Sequence, residues 1–209
     1  MTLAPGPETH ALTIMGGLHD RADTVLLLGP REPGFWAHFT AQPEYRDGTP
    51  DPLDRWSKRA IGALAAAWGG TAIFPSDGPP YPPFQDWALR SGRAWASPVG
   101  MLVHAEAGLM ISFRGAVRIA GAHLPLPRPA PNPCESCAER PCRTACPAGA
   151  LGFDGYDTAT CHRFLDTSVG SDCLSRGCAV RRVCPVGRAA RVDAQSAFHM
   201  AAFHVTQKE

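Results

Sequence analysis

"CESCAERPCRTACP" (residues 134–147) puts four cysteines into thirteen positions and closes on Cys146-Pro147. A second group follows at Cys161, Cys173, Cys178 and Cys184, the last again backed by proline, Pro185. Written out, the groups are Cys134-x2-Cys137-x4-Cys142-x3-Cys146-Pro and Cys161-x11-Cys173-x4-Cys178-x5-Cys184-Pro. Each is three cysteines and then a fourth followed by proline, a two-fold internal repeat with loosened spacing. All eight cysteines of the 209-residue chain fall between 134 and 184. The fold reading therefore starts from a cysteine-rich C-terminal region and a cysteine-free N-terminal one.

Three chemistries compete for these sulfurs. In a reducing compartment clustered cysteines are metal ligands before they are disulfides. Zinc accepts four thiolates, but its sites usually arrive as paired C-x2-C knuckles, and only one C-x2-C occurs here. Two-cluster ferredoxins use C-x2-C-x2-C-x3-C-P, the fourth cysteine ligating the other cluster. The reason is geometric. Three nearby thiolates on one loop reach three irons of a cubane, and the fourth iron needs a ligand from elsewhere. Proline's fixed φ turns the chain away after the fourth cysteine. The pattern thus assigns Cys134, Cys137, Cys142 and Cys184 to one [4Fe-4S] cluster. Cys161, Cys173, Cys178 and Cys146 go to the other. The x4, x11 and x5 gaps depart from the simple ferredoxin spacing, and zinc and free or bridged thiols stand as the competing readings. Arg143, Arg176, Arg181 and Arg182 lie close in sequence to these ligands. They are candidates to offset cluster charge, against the plainer reading of solvated surface residues.

Upstream, "HLPLPRPAPNP" (123–133) carries five prolines and reads as an extended linker. Before it, "TVLLLG" (24–29) reads as a buried strand and "DPLDRWSKRAIGALAAAWGG" (51–70) as a helix. Pro52 sits in its first turn, Trp56, Ile61, Leu64 and Trp68 recur at helical spacing, and Gly69-Gly70 stops it. "TAIF" (71–74) is a strand, "PSDGPPYPP" a turn, and "FQDWALRSG" (84–92) a short helix. "GMLVHAEAGLMISFRGAVRI" (100–119) reads as two strands around a turn from Ala105 to Gly108. Alternating elements predict a layered domain around one sheet. After the linker strand signals vanish, and "AQSAFHMAAFH" (194–204) reads as a C-terminal helix packing back.

Charge is balanced, 20 basic against 19 acidic side chains, which excludes the basic footprint of a nucleic-acid binder. No apolar run approaches the ~20 residues that span a bilayer, and the N-terminus lacks a signal-peptide pattern. The expectation is a cytoplasmic protein without a membrane segment.

"CESCAERPCRTACPAGAL", "YDTATCHRFL" and "GCAVRRVCPVG" together resemble the dicluster part of epoxyqueuosine reductase, a cobalamin-dependent family related to the reductive dehalogenases. Residues 77–119 are similar to that family's upstream stretch, with Trp95 on the family tryptophan and Gly108 on the hairpin glycine. The resemblance covers roughly 70–190 by motif order. It implies an α+β chain: a flavin-reductase-like α/β layered domain (1–125), then a ferredoxin-like two-cluster module (130–195) and a C-terminal helix (196–209). It further implies cobalamin cradled by the first domain, and places Asp77 on the family's proton donor. Asp77 also stands in "SDGPP", a turn signal in its own right. The first region is shorter than in the reductase, and "GRAWASPVG" has lost glycines and gained Pro98.

His104, His162, His199 and His204 are candidate ligands only in reserve, because eight cysteines already complete two cubanes. Phe198, Met200 and Phe203 read as helix packing. No phosphate-cradling loop, Ser–His–Asp signature or HExxH motif occurs. The expected function is one-electron transfer through two [4Fe-4S] clusters to a redox partner protein or a small-molecule acceptor. The alternative is a corrinoid-dependent reductase with cobalamin in the N-terminal domain.

Overall fold

The structure, a computed structural model, describes residues 3–152 and 155–205. In chain order the elements are β1 (Leu12–Asp20), β2 (Asp23–Pro30), α1 (Phe35–Thr40), α2 (Pro43–Arg46), α3 (Pro52–Ala67), β3 (Thr71–Ile73), α4 (Phe84–Arg90), β4 (Ala94–Ala96), β5 (Leu102–His104) and β6 (Gly115–Ile119). Past the prolines come β7 (Leu151–Gly152), β8 (Gly155–Tyr156), α5 (Thr158–Leu165), α6 (Ser171–Arg176), α7 (Ala179–Arg182) and α8 (Asp193–Val205). The chain is a mixed α/β protein with small antiparallel sheets. None of its described helices is long and apolar enough to cross a membrane.

Contacts divide the chain into two compact units, residues 1–94 with 112–130, and 95–111 with 131–209. In the first unit a four-stranded antiparallel sheet runs in the order β1-β2-β6-β3. Val25 to Leu28 form an unbroken buried run because β2 is an inner strand. Helix α3 lies on β3 and β6, its buried stripe of Leu53, Trp56, Ala60, Ile61 and Leu64 repeating every three to four residues. Pro52 opens it, and Gly69, at φ +68°, lets the Gly70 amide return to the Ala65 carbonyl. Phe35 and Phe39 pack edge-on against Trp56. Strand β1 had no counterpart in the sequence reading. Its Gly16-Gly17 pair dilutes the strand signal, yet a Cβ on Gly17 would stand 2.9 Å from Leu126 Cδ2.

That contact belongs to the proline stretch, which is no free spacer. Leu124 is buried, and the buried Thr24 hydroxyl donates to the Ala122 carbonyl while accepting from the Leu124 amide. Ala130 donates to the Gly92 carbonyl, so residues up to 130 are strapped onto the first unit.

The expected hairpin over 100–119 does not form. Only His104 and Gly108 bridge, each amide donating to the other's carbonyl. The chain then runs irregularly until the Arg114 amide reaches the Leu28 carbonyl and β6 joins the first unit's sheet. Residues 95–111, placed with the N-terminal region in the sequence reading, belong to the second unit. There β4 and β5 form a two-stranded sheet, and β7 and β8 a second one that the sequence did not signal. Short helices α5 to α7 carry the later cysteines, and α8 packs on α6.

Candidate metal centre

All eight cysteines are free. Cys134, Cys137, Cys142 and Cys184 line a single pocket in the second unit, together with Val103, Leu109, Arg140 and Pro185. The local sequence explains how they arrive there. Asn132 turns the chain with its side-chain oxygen on the Cys134 amide and its carbonyl on the Glu135 amide. Arg140, held at φ +43°, precedes the single turn Pro141–Arg143 that buries Cys142. Helix α7 ends just before Cys184, whose amide reaches the Arg181 carbonyl. Burial pushes the Cys134 and Cys142 thiols up, and the facing sulfurs push further: Cys142, Cys184 and Cys137 on Cys134, Cys137 and Cys184 on Cys142. Arg140 and Arg143 oppose those rises at Cys134 and Cys142 respectively.

Gly108 closes the back of this quartet. Its φ is +56°, and a Cβ there would lie 2.3 Å from the Val186 carbonyl oxygen and 3.0 Å from Cys184 Sγ. The Arg181 guanidinium donates to the Leu109 carbonyl, pinning the same turn. Thus the 104–109 turn and the Cys184-Pro185 segment interlock, and only glycine fits at 108.

The second quartet is built by α5, α6 and α7. Asp157 caps α5 by accepting from the Thr160 amide at 2.9 Å. Cys161 sits within α5, Cys173 is buried on α6, and Cys178 stands at the N-terminus of α7. Burial raises the Cys161 thiol first; the Tyr156 hydroxyl, donating to its sulfur, acts the other way, and Cys178, Cys146 and Cys173 add to the rise. Tyr156 is itself pushed up, by burial first and then by that bond to Cys161. The electrostatic neighbours of Cys161 are therefore the three cysteines grouped with it in the sequence reading. The neighbours of Cys134 are the other three.

Among the described residues no three His, Cys, Asp or Glu side chains converge as they would around one ion. A lone tetrahedral zinc needs four sulfurs at bonds of about 2.3 Å, and the quartets do not close to that spacing. Eight soft sulfur donors, a pocket bounded by four of them and a glycine cradle beside Cys184 fit two multi-atom clusters.

The remaining candidates have structural partners. Asp77 Oδ2 accepts from the Phe74 amide at 2.9 Å and Oδ1 lies 4.0 Å from Lys58, so the carboxylate closes its own turn. His104 is buried, with Nδ1 accepting from the Glu106 and Ala107 amides. Nδ1 of His162 meets Nδ1 of His204 at 3.1 Å, and His204 Nε2 pairs with Asp166 at 3.0 Å. Phe203 stacks on both His162 and Tyr156, while His199 sits edge-on to Phe198. Trp95 packs, half-buried, against the hydrophobic cluster around Val103 and Cys184. Arg176 and Arg182 pair with Asp172, and Arg176 also with Asp193. Of the four arginines expected to offset charge, then, only Arg143 is seen acting on a cysteine. Arg140 and Tyr156 were not singled out from sequence. Only their closeness to Cys142 and Cys161 along the chain pointed to them.

Compared with known proteins, the chain matches no family model, no curated protein and no solved structure.

Proposed function

We propose that this chain is an iron–sulfur redox protein that carries two [4Fe-4S] clusters and passes single electrons from an external one-electron donor to a partner protein or small-molecule acceptor. One observation carries the reading: eight free thiols gather as two interleaved quartets, each taking its fourth sulfur from beside the proline that ends the other group. When bound, each cluster supplies a reversible one-electron store between its 2+ and 1+ states.

Cys134, Cys137, Cys142 and Cys184 would hold the first, and Cys161, Cys173, Cys178 and Cys146 the second. Arg140 and Arg143 bias the first quartet toward thiolate, the form that ligates metal. Buried Val103, Leu109 and Val180 keep water from the sulfurs. Eight reduced thiols suit a cytoplasmic setting, and the three-plus-one interleaving is what supports a ferredoxin-like layout for the second unit. The corrinoid-dependent alternative, with a flavin-reductase-like first unit, rests on the resemblance of motifs alone.

Anaerobic reconstitution with iron and sulfide tests the reading. The expected result is about eight irons and eight sulfides per chain, with absorbance near 400 nm that bleaches on reduction. Colourless protein holding zinc without sulfide overturns it, as do disulfides linking the quartets.

A further inference from the structure

The two quartets are not equivalent, and the difference is one hydroxyl. Tyr156 ends β8, where it pairs across from Leu151. The next residue caps α5: the Asp157 amide donates to the Ala150 carbonyl at 2.8 Å, and the Asp157 carbonyl takes the Cys161 amide at 3.1 Å. Strand end and helix start therefore fix the positions of Tyr156 and Cys161 within one short segment. The tyrosine ring is held from its other side by α8. Phe203 lies nearly parallel to it, centroids 6.0 Å apart and planes at 22°, and His162 stacks on Phe203 at 4.3 Å. His162 is anchored through His204 to Asp166. With the ring clamped, the hydroxyl donates to the Cys161 sulfur.

We propose that this Tyr156 hydroxyl is a positioning group that raises the reduction potential of the second centre and leaves the first untouched. The inference rests on the two-cluster reading above. Its physics is charge stabilisation. An electron added to a thiolate-ligated cluster increases the negative charge on the sulfurs. A donor already aimed at one of them favours the reduced state over the oxidised one. Removing the donor must therefore lower the potential of that centre. The reductant in the experiment is an external one-electron donor such as titanium(III) citrate, and no proton need leave the tyrosine.

The test is a redox titration of the full-length, cluster-loaded chain, read by electron paramagnetic resonance, with Y156F against the unaltered protein. At a fixed potential the reduced-to-oxidised ratio of one centre should fall about tenfold, equivalent to 59 mV for a one-electron couple. The other centre should not move. No shift in either centre, or an equal shift in both, overturns the proposal. If Y156F holds less iron, the unaltered sequence made with 3-fluorotyrosine at its three tyrosines carries the test. Its more acidic hydroxyl should raise the potential of one centre alone, and an unchanged potential refutes the role. A chain that takes up no iron at all sinks the two-cluster reading instead.

Discussion

Replacing Gly108 with alanine should loosen the second unit far more than the same change at Gly100. The two glycines share a backbone demand, φ +56° at Gly108 and +76° at Gly100. Placing an L-residue there costs about 1–2 kcal/mol. They differ in what a Cβ would meet. Around Gly100 nothing lies within 4 Å, while at Gly108 the new methyl would overlap the Val186 carbonyl oxygen at 2.3 Å and crowd Cys184 Sγ at 3.0 Å. A backbone carbonyl cannot rotate away, so the segment around Val186 must shift, and overpacking of this kind adds about 1–3 kcal/mol. G108A should therefore lose roughly 2–5 kcal/mol where G100A loses about 1–2. Amide hydrogen exchange reads the difference at the reciprocal His104–Gly108 bonds, both 3.0 Å. Because about 1.4 kcal/mol is a factor of ten, those amides should exchange at least tenfold faster in G108A than in G100A. Equal exchange in the two variants would refute the interlock between the 104–109 turn and the Cys184 segment. Since Cys184 moves with that segment, G108A should also load about half the iron.

The ligand partition makes its own prediction: C184S and C137S should perturb the same spectroscopic centre, C146S and C161S the other, each removing up to four of about eight irons. Pairing by sequence proximity, with C146S disturbing the Cys137 centre, would be the contrary result. In the first unit, T24V strips the hydroxyl that joins the Ala122 carbonyl to the Leu124 amide. Leaving buried groups unpaired should destabilise by about 1–3 kcal/mol, with faster exchange at Leu124 as the readout. The Arg55 guanidinium bonded to Asp47 lowers that carboxyl to about 2. Its stabilisation is complete above the unfolded carboxylate range and fades as pH falls through that range toward 2. D47N should remove this portion of the acid dependence, and carboxyl titration by NMR reads the Asp47 value directly.

What was legible in the sequence follows from where the governing interactions are local. Helix α3 was readable because proline start, glycine stop and apolar spacing all lie inside one window. The two quartets were readable because proline after a fourth cysteine is itself a local mark of a chain leaving one loop for another. The hairpin over 100–119 was misread because both halves have strand character while only a tertiary choice decides the partner: β6 pairs with β2 and β3 instead of β5. Strand β1 was missed because its glycines answer to packing against Leu126, more than a hundred residues away. Tyr156 was passed over for a different reason. A tyrosine beside a turn carries no signal until β8 and α8 fix where its hydroxyl lies.

The two units also differ in what could hold them together. In the first, aromatic side chains fill the interior: Phe35, Phe39, Trp56 and Trp68 are almost wholly enclosed, alongside Leu26, Leu27 and Leu28. Burying such side chains contributes about 1.5–3 kcal/mol each, enough to offset the ordering of a small sheet and its helices. The second unit has no comparable filling among its described residues. Its central cluster is Val99, Val103, Leu109, Leu151 and Val180 with Cys142 and Cys184, and Cys173 is buried nearby. Its helices α5, α6 and α7 span eight, six and four residues, too short to persist without tertiary support. An interior that spends several of its buried positions on sulfur, in elements this short, gains most from bonds that tie distant loops together, as small metal-dependent domains do. The cysteine pattern is thus tied to the fold as well as to redox chemistry: the same sulfurs that would carry the electron would also join residues 134–146 to 161–184.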